Sequence, residues 1–454
     1  MKVPSVEKQI GIEAFISKTQ GVGGQIRQRP EDFLVEEILV NGSRAKTTRK
    51  PAPSQISGEG RYLICLLVKR NCDTLLTARR IARQLGISER RVQIGGIKDK
   101  RAVTAQHVSI ENIKLTKLGR IQSDDFKLHP LYYSPNMVFP HMLFGNAFRI
   151  TIRNISRSSR FVQEKASETV QELRVRGGVP NFFGHQRFGT IRPITHLVGK
   201  ALAENDIEKA ALLFLARPSF HEHPRSLEAR QQLLETGDFK VAFKNFPRRL
   251  VYERLMLSHL ARHPREYAKA FRRLPKRLCR LFLQAYQSYL FNRFLSQRIL
   301  QEIPIDEPQN GDYVVKTDRH GLPSSSYVKA TTDILDSLRR AVKKGEMYIA
   351  IPLIGLKQPP SEGVQGEIEQ HILEAEEIDQ ASFQVPSMPE MGSAGELRAI
   401  LSPLANLSVE KPLKDELNPR KKKLEMDFTL HRGRYATVVL REFMKVRNVI
   451  KAGY

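Results

Sequence analysis

Gly95-Gly96-Ile97-Lys98-Asp99-Lys100-Arg101-Ala102-Val103-Thr104-Ala105-Gln106 sets one carboxylate between two lysines, immediately after the short apolar run Val92–Ile97. An ammonium close to a carboxylate favours the anion, so Asp99 is expected to stay ionised and available. Before it, Asp73 stands as an N-cap to a helix with apolar positions at Leu75, Leu76, Ile81, Ala82 and Leu85, and Gly86 stops that helix. Arg61–Val68 is apolar and β-prone, so strand, helix and strand form a βαβ-like unit, and Asp99 falls on the turn that leaves it. Two readings of Asp99 stand at this point. A turn aspartate commonly serves its own backbone; a carboxylate held by cations also serves as a nucleophile towards sugars and electrophilic rings.

A second stretch narrows the chemistry. Val179-Pro180-Asn181-Phe182-Phe183-Gly184-His185-Gln186-Arg187-Phe188-Gly189 packs three phenylalanines, an Asn, a Gln, an Arg and two glycines into eleven positions. Three phenylalanines suit a small core with a polar edge. Gly184 and Gly189 interrupt any regular element, however, which places the rings on a loop, where binding groups concentrate. A nucleobase flipped from its helix needs stacking and edge hydrogen bonds, and this composition offers both. The two stretches together read as a site for chemistry on a base in RNA.

The totals agree. The chain has 454 residues, enough for two or three domains, and is 41% hydrophobic and 27% charged. Lys plus Arg number 74 against 48 Asp plus Glu, a formal charge of +26. Such an excess points to a polyanionic partner, since neutralised phosphates release counterions. With no secretory start, long apolar span or basic amphipathic anchor, nucleic acid is expected over membrane. Cys65, Cys72 and Cys279 form no zinc or disulfide spacing and read as reduced cytosolic thiols, so the expected localisation is cytoplasmic. Gly21-Val22-Gly23-Gly24 lacks the ending of a phosphate loop, and His221-Glu222-His223 lacks zinc spacing, so no metal or cofactor is expected.

The organisation is mixed at both ends and helical between. Pro30–Ile38 is a turn leading into a strand, Asn41–Glu59 a polar loop, and Phe148–Asn154 an alternating, half-exposed strand followed by a helix at about 157–176. From Ile194 to Ile299 the pattern is helix after helix. Within it, Lys244–Arg280 holds twelve Lys or Arg with only Glu253 and Glu266 as acids, a candidate phosphate-contacting face. Glu362–Asp379 has seven acids and no Lys or Arg, and reads as a solvated segment. Gln380–Gly395 reads as a linker. Leu424, Met426, Phe428 and Leu430 alternate in a last strand, Gly433 turns the chain, and Tyr435–Lys445 is a further ordered segment. One domain interrupted by another is the expected plan.

These motifs resemble the tRNA pseudouridine synthase D (TruD) family. Gly96 through Gln106 fits its Gly-x-Lys-Asp-x-x-Ala-x-Thr-x-Gln motif, and Asn181 through Gly189 its Asn-aromatic-Phe-Gly-x-Gln-Arg-Phe-Gly motif. Pro30–Glu37 (Pro-Glu-Asp-Phe-x-Val-x-Glu), Gly145–Phe148, Tyr289–Asn292 and Tyr435–Glu442 are further landmarks, so the resemblance runs nearly the whole chain. It implies an α+β fold: a pseudouridine synthase catalytic domain with a mixed sheet, residues 1–190 and 396–454, interrupted by a largely helical TRUD domain at 191–395. It implies isomerisation of a tRNA uridine without cofactor or metal, with tRNA as partner and position 13 as the default target. Asp99 corresponds to the catalytic aspartate, Phe183 to the ring against the target base, and Asn181 to a neighbouring binding position. Phe33 and Tyr435 correspond to two more aromatic positions lining the site, with Lys98 beside the nucleophile.

Two departures stand out. Arg27 occupies a family lysine position, and a planar guanidinium cannot titrate as an amine does, so an ion pair with Asp99 is expected there rather than proton transfer. Tyr435 stands where relatives carry Phe, and Lys200–Arg273 is longer than in compact bacterial relatives. Two other function classes fit less well: an RNA chaperone, which has no need of an aspartate near phosphates, and a glycosidic hydrolase, which ordinarily needs two cooperating carboxylates.

Overall fold

The computed structural model describes residues 2–48 and 56–454. After a short helix α1 (Ser5–Lys8), a 3-10 turn at Pro30–Asp32 opens strand β1 (Phe33–Leu39), whose side chains alternate strictly between buried and half-buried. β2 (Tyr62–Arg70) leads into α2 (Thr74–Leu85). Asp73 caps α2 by accepting from the amides of Leu75 and Leu76, and Gly86 ends it in the left-handed conformation (φ 66°) that glycine adopts without strain. β3 (Val92–Ile94), β4 (Val103–Glu111), β5 (Phe126–Ser134) and β6 (Leu143–Ile155) follow, then α3 (Ser159–Val175) and the short β7 (Val179–Pro180).

The chain then leaves the sheet. Seven helices run in succession: α4 (Thr195–Ala203), α5 (Ile207–Ala216), α6 (Pro224–Thr236), α7 (Phe239–Asn245), α8 (Val251–Leu260), α9 (Tyr267–Phe271) and the long α10 (Lys276–Leu300). The segment beyond them mixes strands with two helices. β8 (Tyr313–Thr317), β9 (Pro323–Lys329), α11 (Leu335–Lys343), β10 (Met347–Leu353), α12 (Gly363–Ala375) and β11 (Glu396–Ala399) build a four-stranded sheet of order β11-β10-β8-β9. β12 (Leu401–Ser402) pairs with β7, so the chain returns beside the point where it left. β13 (Ala405–Val409), β14 (Leu413–Lys414), β15 (Lys422–His431) and α13 (Ala436–Met444) complete the chain.

The main sheet has the order β13-β15-β6-β1-β4-β2-β5, with β14 on β15 and β3 on β4. β1 and β4 run parallel and the other pairs antiparallel, a mixed sheet in an α+β fold. β1 meets the first residues of β4 and β3 meets its last ones on the same edge, so the loop bearing Asp99 emerges between two strands that flank it. Gly145 lets β6 lie against β15; a Cβ there would sit 2.0 Å from the Leu430 carbonyl oxygen.

Several expectations are corrected by packing. Leu75 and Leu76 lie exposed on α2, because the apolar face that docks on the sheet is Ile81, Ala82 and Leu85. The strand β6 is central rather than half-exposed: Arg153 is fully buried, its charge met by Asp32 (2.6 Å), Asp415 (2.8 Å) and Glu416 (2.9 Å). The acidic stretch is not wholly solvated: Glu362, Glu367, Glu374, Glu377 and Asp379 are exposed, but Glu369 is fully buried and Glu376 binds Lys200 and Arg293, each at 2.8 Å. Nor is Gln380–Gly395 a linker; Phe383, Val385, Met388 and Met391 anchor it in the large core. Of the polar loop Asn41–Glu59, residues 49–55 lie outside the described part. No helix among the described residues is long and apolar enough to cross a membrane.

Candidate active site

The loop bearing Asp99 is fixed from three directions. Gln106 Nε2 donates to the Gly96 carbonyl (3.1 Å), and Thr74 Oγ1 donates to the Lys98 carbonyl (3.2 Å). Lys69, fully buried, donates from Nζ to the Asp99 carbonyl (2.7 Å) and the Cys72 carbonyl (2.9 Å). Burial lowers the affinity of Lys69 for its proton, and the charge of Asp99 acts against that. Backbone pinned in this way leaves only the aspartate side chain to move.

Neither flanking lysine holds the Asp99 carboxylate, contrary to expectation. Lys98 turns inward, its ammonium 2.7 Å from Glu37 Oε2, and Lys100 is exposed. Glu37 Oε1 also lies 3.1 Å from His107 Nδ1 and accepts the His107 amide (2.9 Å). Burial pushes the Glu37 carboxyl upward, but His107 and Lys98 outweigh it and hold the group below the usual range. The cation on Asp99 is Arg27, whose Nη2 donates to Oδ1 at 2.7 Å. Arg27 is itself buried and in the left-handed region (φ 58°), a conformation costing a non-glycine residue about 1 kcal/mol or more. It is held there by the chain end: the Ile26 amide donates to the Ala452 carbonyl (2.8 Å), and Arg27 Nη1 donates to the Gly453 carbonyl (3.0 Å). Burial lowers the guanidinium's proton affinity and Asp99 counters it.

Asp99 is 32% exposed and opens into a cleft of about 490 Å³, whose walls include Arg27, Phe33, Lys98, Asn146, Arg434 and Tyr435. That volume falls in the range of small-ligand sites. Of the expected aromatics, only Tyr435 offers its ring partly to solvent. Phe33 is 1% exposed, with the Arg27 guanidinium 4.1 Å above its ring centre. Phe183 is 7% exposed; it meets Tyr435 edge-on (centroids 6.2 Å) and Phe291 edge-on (5.6 Å). The Arg398 guanidinium covers its face at 3.9 Å. Asn181 is buried away from the cleft, donating to the Ala399 carbonyl (2.6 Å) and accepting from Arg398 (2.8 Å). Phe182 and Phe188 are fully buried core residues.

The structure thus brings Arg27, Phe33, Lys98, Asp99 and Tyr435 to one cleft and sets Phe183 and Asn181 behind it. It also brings Asn146 and Arg434, neither singled out as a site residue from the sequence, into the wall together with Gln186 of the aromatic motif. The Asn146 Oδ1 is buried with no hydrogen-bond partner among the described residues. Asn146 and Arg434 belong to stretches already noted for neighbouring residues, Gly145–Phe148 and the turn at Gly433. Arg398 had no signal, because only the pairing of β10 with β11 carries it to Phe183.

Other landmarks prove to be ties between distant segments. Asn292 accepts the Phe183 amide at 2.8 Å and donates to the Ile10 carbonyl at 2.9 Å. Arg441 binds Glu7 at 2.9 Å, and Glu442 accepts Ser17 Oγ at 2.7 Å. Glu7 is buried, which raises its pKa, but Arg441 and His185 prevail and bring it to about 2.

Comparison with known proteins agrees with this arrangement. The family model described as tRNA pseudouridine synthase D (TruD) matches residues 9–443. A protein of Methanosarcina barkeri named a probable tRNA pseudouridine synthase D is 43% identical over 450 residues, covering 98% of this chain and 99% of that one. One of the same name from Methanopyrus kandleri is 39% identical over 391 residues, 86% of this chain and 87% of that one. A crystal structure from Methanosarcina mazei, provisionally assigned as tRNA pseudouridine synthase D (TruD), superposes with a TM-score of 0.83 at 41% identity, covering 98% and 99% of the two chains. The chain belongs to the tRNA pseudouridine synthase D (TruD) family.

Proposed function

We propose that this protein isomerises a uridine in tRNA to pseudouridine, with Asp99 as the nucleophile and the uridine at position 13 as the default target. The observation that carries the reading is Asp99 itself: a carboxylate clamped by Arg27 at 2.7 Å, on a pinned loop, with one third of its surface open to a nucleotide-sized cleft. A turn aspartate serving its own backbone would not face a cleft in this way. In the reaction the uridine's N1–C1′ bond breaks and a C5–C1′ bond forms. C5 gives up its hydrogen and N1 gains one, so the chemistry balances within the nucleotide and needs no oxidant or reductant.

The flipped base stacks on Tyr435, the accessible ring, while Phe183 braces that ring from its edge. Stacking of this kind is worth roughly 1–3 kcal/mol. Asn146, in the cleft wall, places its side-chain amide near the edge of the flipped base. Arg27 keeps the carboxylate aimed at the ribose; Phe33 supports Arg27 from beneath. Lys98 holds Glu37 and acts on the loop's shape rather than on the substrate.

Carbodiimide labelling and primer extension on unmodified tRNA transcripts test this. Wild type and Asp99→Ala are run in parallel without added metal or cofactor. A new stop with wild type alone is the expected result and gives the target position. Tight binding with no stop on any tRNA would overturn the reading in favour of an RNA chaperone, and release of free uracil would favour a hydrolase.

A further inference from the structure

Three arginines stand on the Phe183 side of this cleft, one in its wall and two over the Phe183 ring behind it, and none forms a salt bridge among the described residues. Arg187 comes from the 3-10 turn after the aromatic loop, Arg398 from β11, and Arg434 from the turn before α13. Arg187 and Arg398 both lie over the Phe183 ring, at 5.5 and 3.9 Å. Their hydrogen bonds go only to neutral groups. Arg187 Nε donates to Ser288 Oγ (3.0 Å), and Arg398 donates to the Asn181 side chain (2.8 Å) and backbone carbonyl (3.2 Å) and to the Gly433 carbonyl (3.4 Å). Arg434 lines the cleft, and its buried Nε has no partner among the described residues.

Elsewhere in this molecule buried arginines are neutralised. Arg153 has three carboxylates, Arg298 has Asp312 at 2.8 Å, and Arg441 has Glu7 and Glu442. Arg187, Arg398 and Arg434 are half-buried, and partial desolvation of a charge without a counter-ion is unfavourable; Arg398 is also repelled by Arg434 and Arg187. Burial, followed by the neighbouring Arg434, drives the proton affinity of Arg398 well down, and burial brings Arg434 to about 10. Exposed Glu396 acts on Arg187 and Arg398 only at long range. An anion bound against Arg434 in the cleft wall would offset this repulsion.

We infer that Arg187, Arg398 and Arg434 form a receptor for one RNA phosphodiester group next to the flipped uridine. This deepens the proposed function and rests on it for the identity of the nucleotide. The planar donors of arginine fit phosphate oxygens two at a time. With Tyr435 adjacent to Arg434 in sequence and edge-on to Phe183, base and phosphate are gripped from one wall while Asp99 and Arg27 face the ribose from the other. The site positions the nucleotide; it takes no part in bond making.

The test is phosphate neutralisation coupled to mutation. Transcripts carrying a methylphosphonate at each linkage flanking the target uridine are titrated against the full-length protein, wild type and Arg434→Gln, by gel shift. The Arg434 side chain has no hydrogen bond among the described residues, so its loss is expected to spare the fold; Arg187→Gln serves as a second variant, and thermal melting verifies both. One linkage is expected at which neutralisation weakens wild-type binding about tenfold and leaves Arg434→Gln unaffected, with the variant's salt slope lower by roughly 0.7–0.9. Equal losses in wild type and both variants at every linkage would overturn the inference. Pseudouridine formation by wild type, scored separately, keeps the two claims apart. Product without coupling removes the phosphate site alone; coupling without product removes the isomerase reading alone.

Discussion

Cations gather in two places around the Asp99 cleft, and they are treated in opposite ways. On the Asp99 side each buried cation has a partner: Lys98 with Glu37, Arg27 with Asp99, and Lys69 with two carbonyl oxygens. On the Phe183 side Arg187, Arg398 and Arg434 have only neutral partners or none. A satisfied charge fixes geometry and is expensive to break. An unsatisfied one leaves binding energy for a ligand and is cheap to remove. The paired side should therefore respond to mutation in stability and turnover, the unpaired side in RNA affinity.

The largest effect on stability is expected at the paired side. Lys98→Met leaves Glu37 buried with only His107 opposite it, and breaking a buried pair on one side costs about 3–5 kcal/mol. Urea unfolding measures it; a loss under 1 kcal/mol would mean the pair is no more than ornament. Glu7→Gln comes next and carries a pH signature. The Glu7 carboxyl is depressed from 4.5 to about 2, so its contribution of about 3 kcal/mol is present above pH 4.5 and disappears as pH falls from 4.5 towards 2. Wild type and Glu7→Gln should differ by that amount at pH 7 and converge near pH 2, as unfolding curves across this range will show.

Smaller effects sharpen the contrast. Arg27→Lys keeps a positive charge but loses the fork that reaches both Asp99 and the Gly453 carbonyl, so kcat should fall about ten- to a hundredfold with little change in affinity. An unchanged kcat would show that a point charge suffices. The smallest effect lies at the start of α10, where Arg273, Lys276 and Arg277 are exposed, while Arg272 is engaged by Glu390 at 2.7 Å. Each of the three changed to Gln should lower the salt slope of tRNA binding by roughly 0.7–0.9, and Arg272→Gln by less. Identical slopes for all four would assign this end of the helix to solvent alone.

What the sequence disclosed was what local pattern encodes. Asp73 and Gly86 mark the ends of α2, alternation marks β15, and the uninterrupted periodicity after Ile194 marks the helices. The four-stranded sheet of β8 to β11 was not legible, because its strands are short, separated by helices and interspersed with polar residues. The acidic stretch was legible on its exposed face but not on the other, for a related reason. Charge counts do not show that Lys200 and Arg293, far off in sequence, come to meet Glu376. At the site, Asp99 was evident from its neighbours in the chain, yet those neighbours were given the wrong task. Lys98 turns to Glu37, 61 positions earlier in the 454-residue chain, and the clamp on Asp99 arrives from Arg27. Phe183 and Asn181 lie behind Tyr435 because the aromatic loop is tied down by Asn292 and β11, contacts that no spacing reveals.

The measurement that tests the central claim most directly compares turnover with affinity in Asp99→Asn. Single-turnover pseudouridine formation and gel-shift titration are run on the same tRNA with wild type and variant. The account predicts a loss of at least about a thousandfold in rate with affinity changed no more than a few-fold, since the carboxylate does chemistry and holds no phosphate. Turnover persisting near the wild-type rate, or affinity collapsing together with turnover, would contradict it.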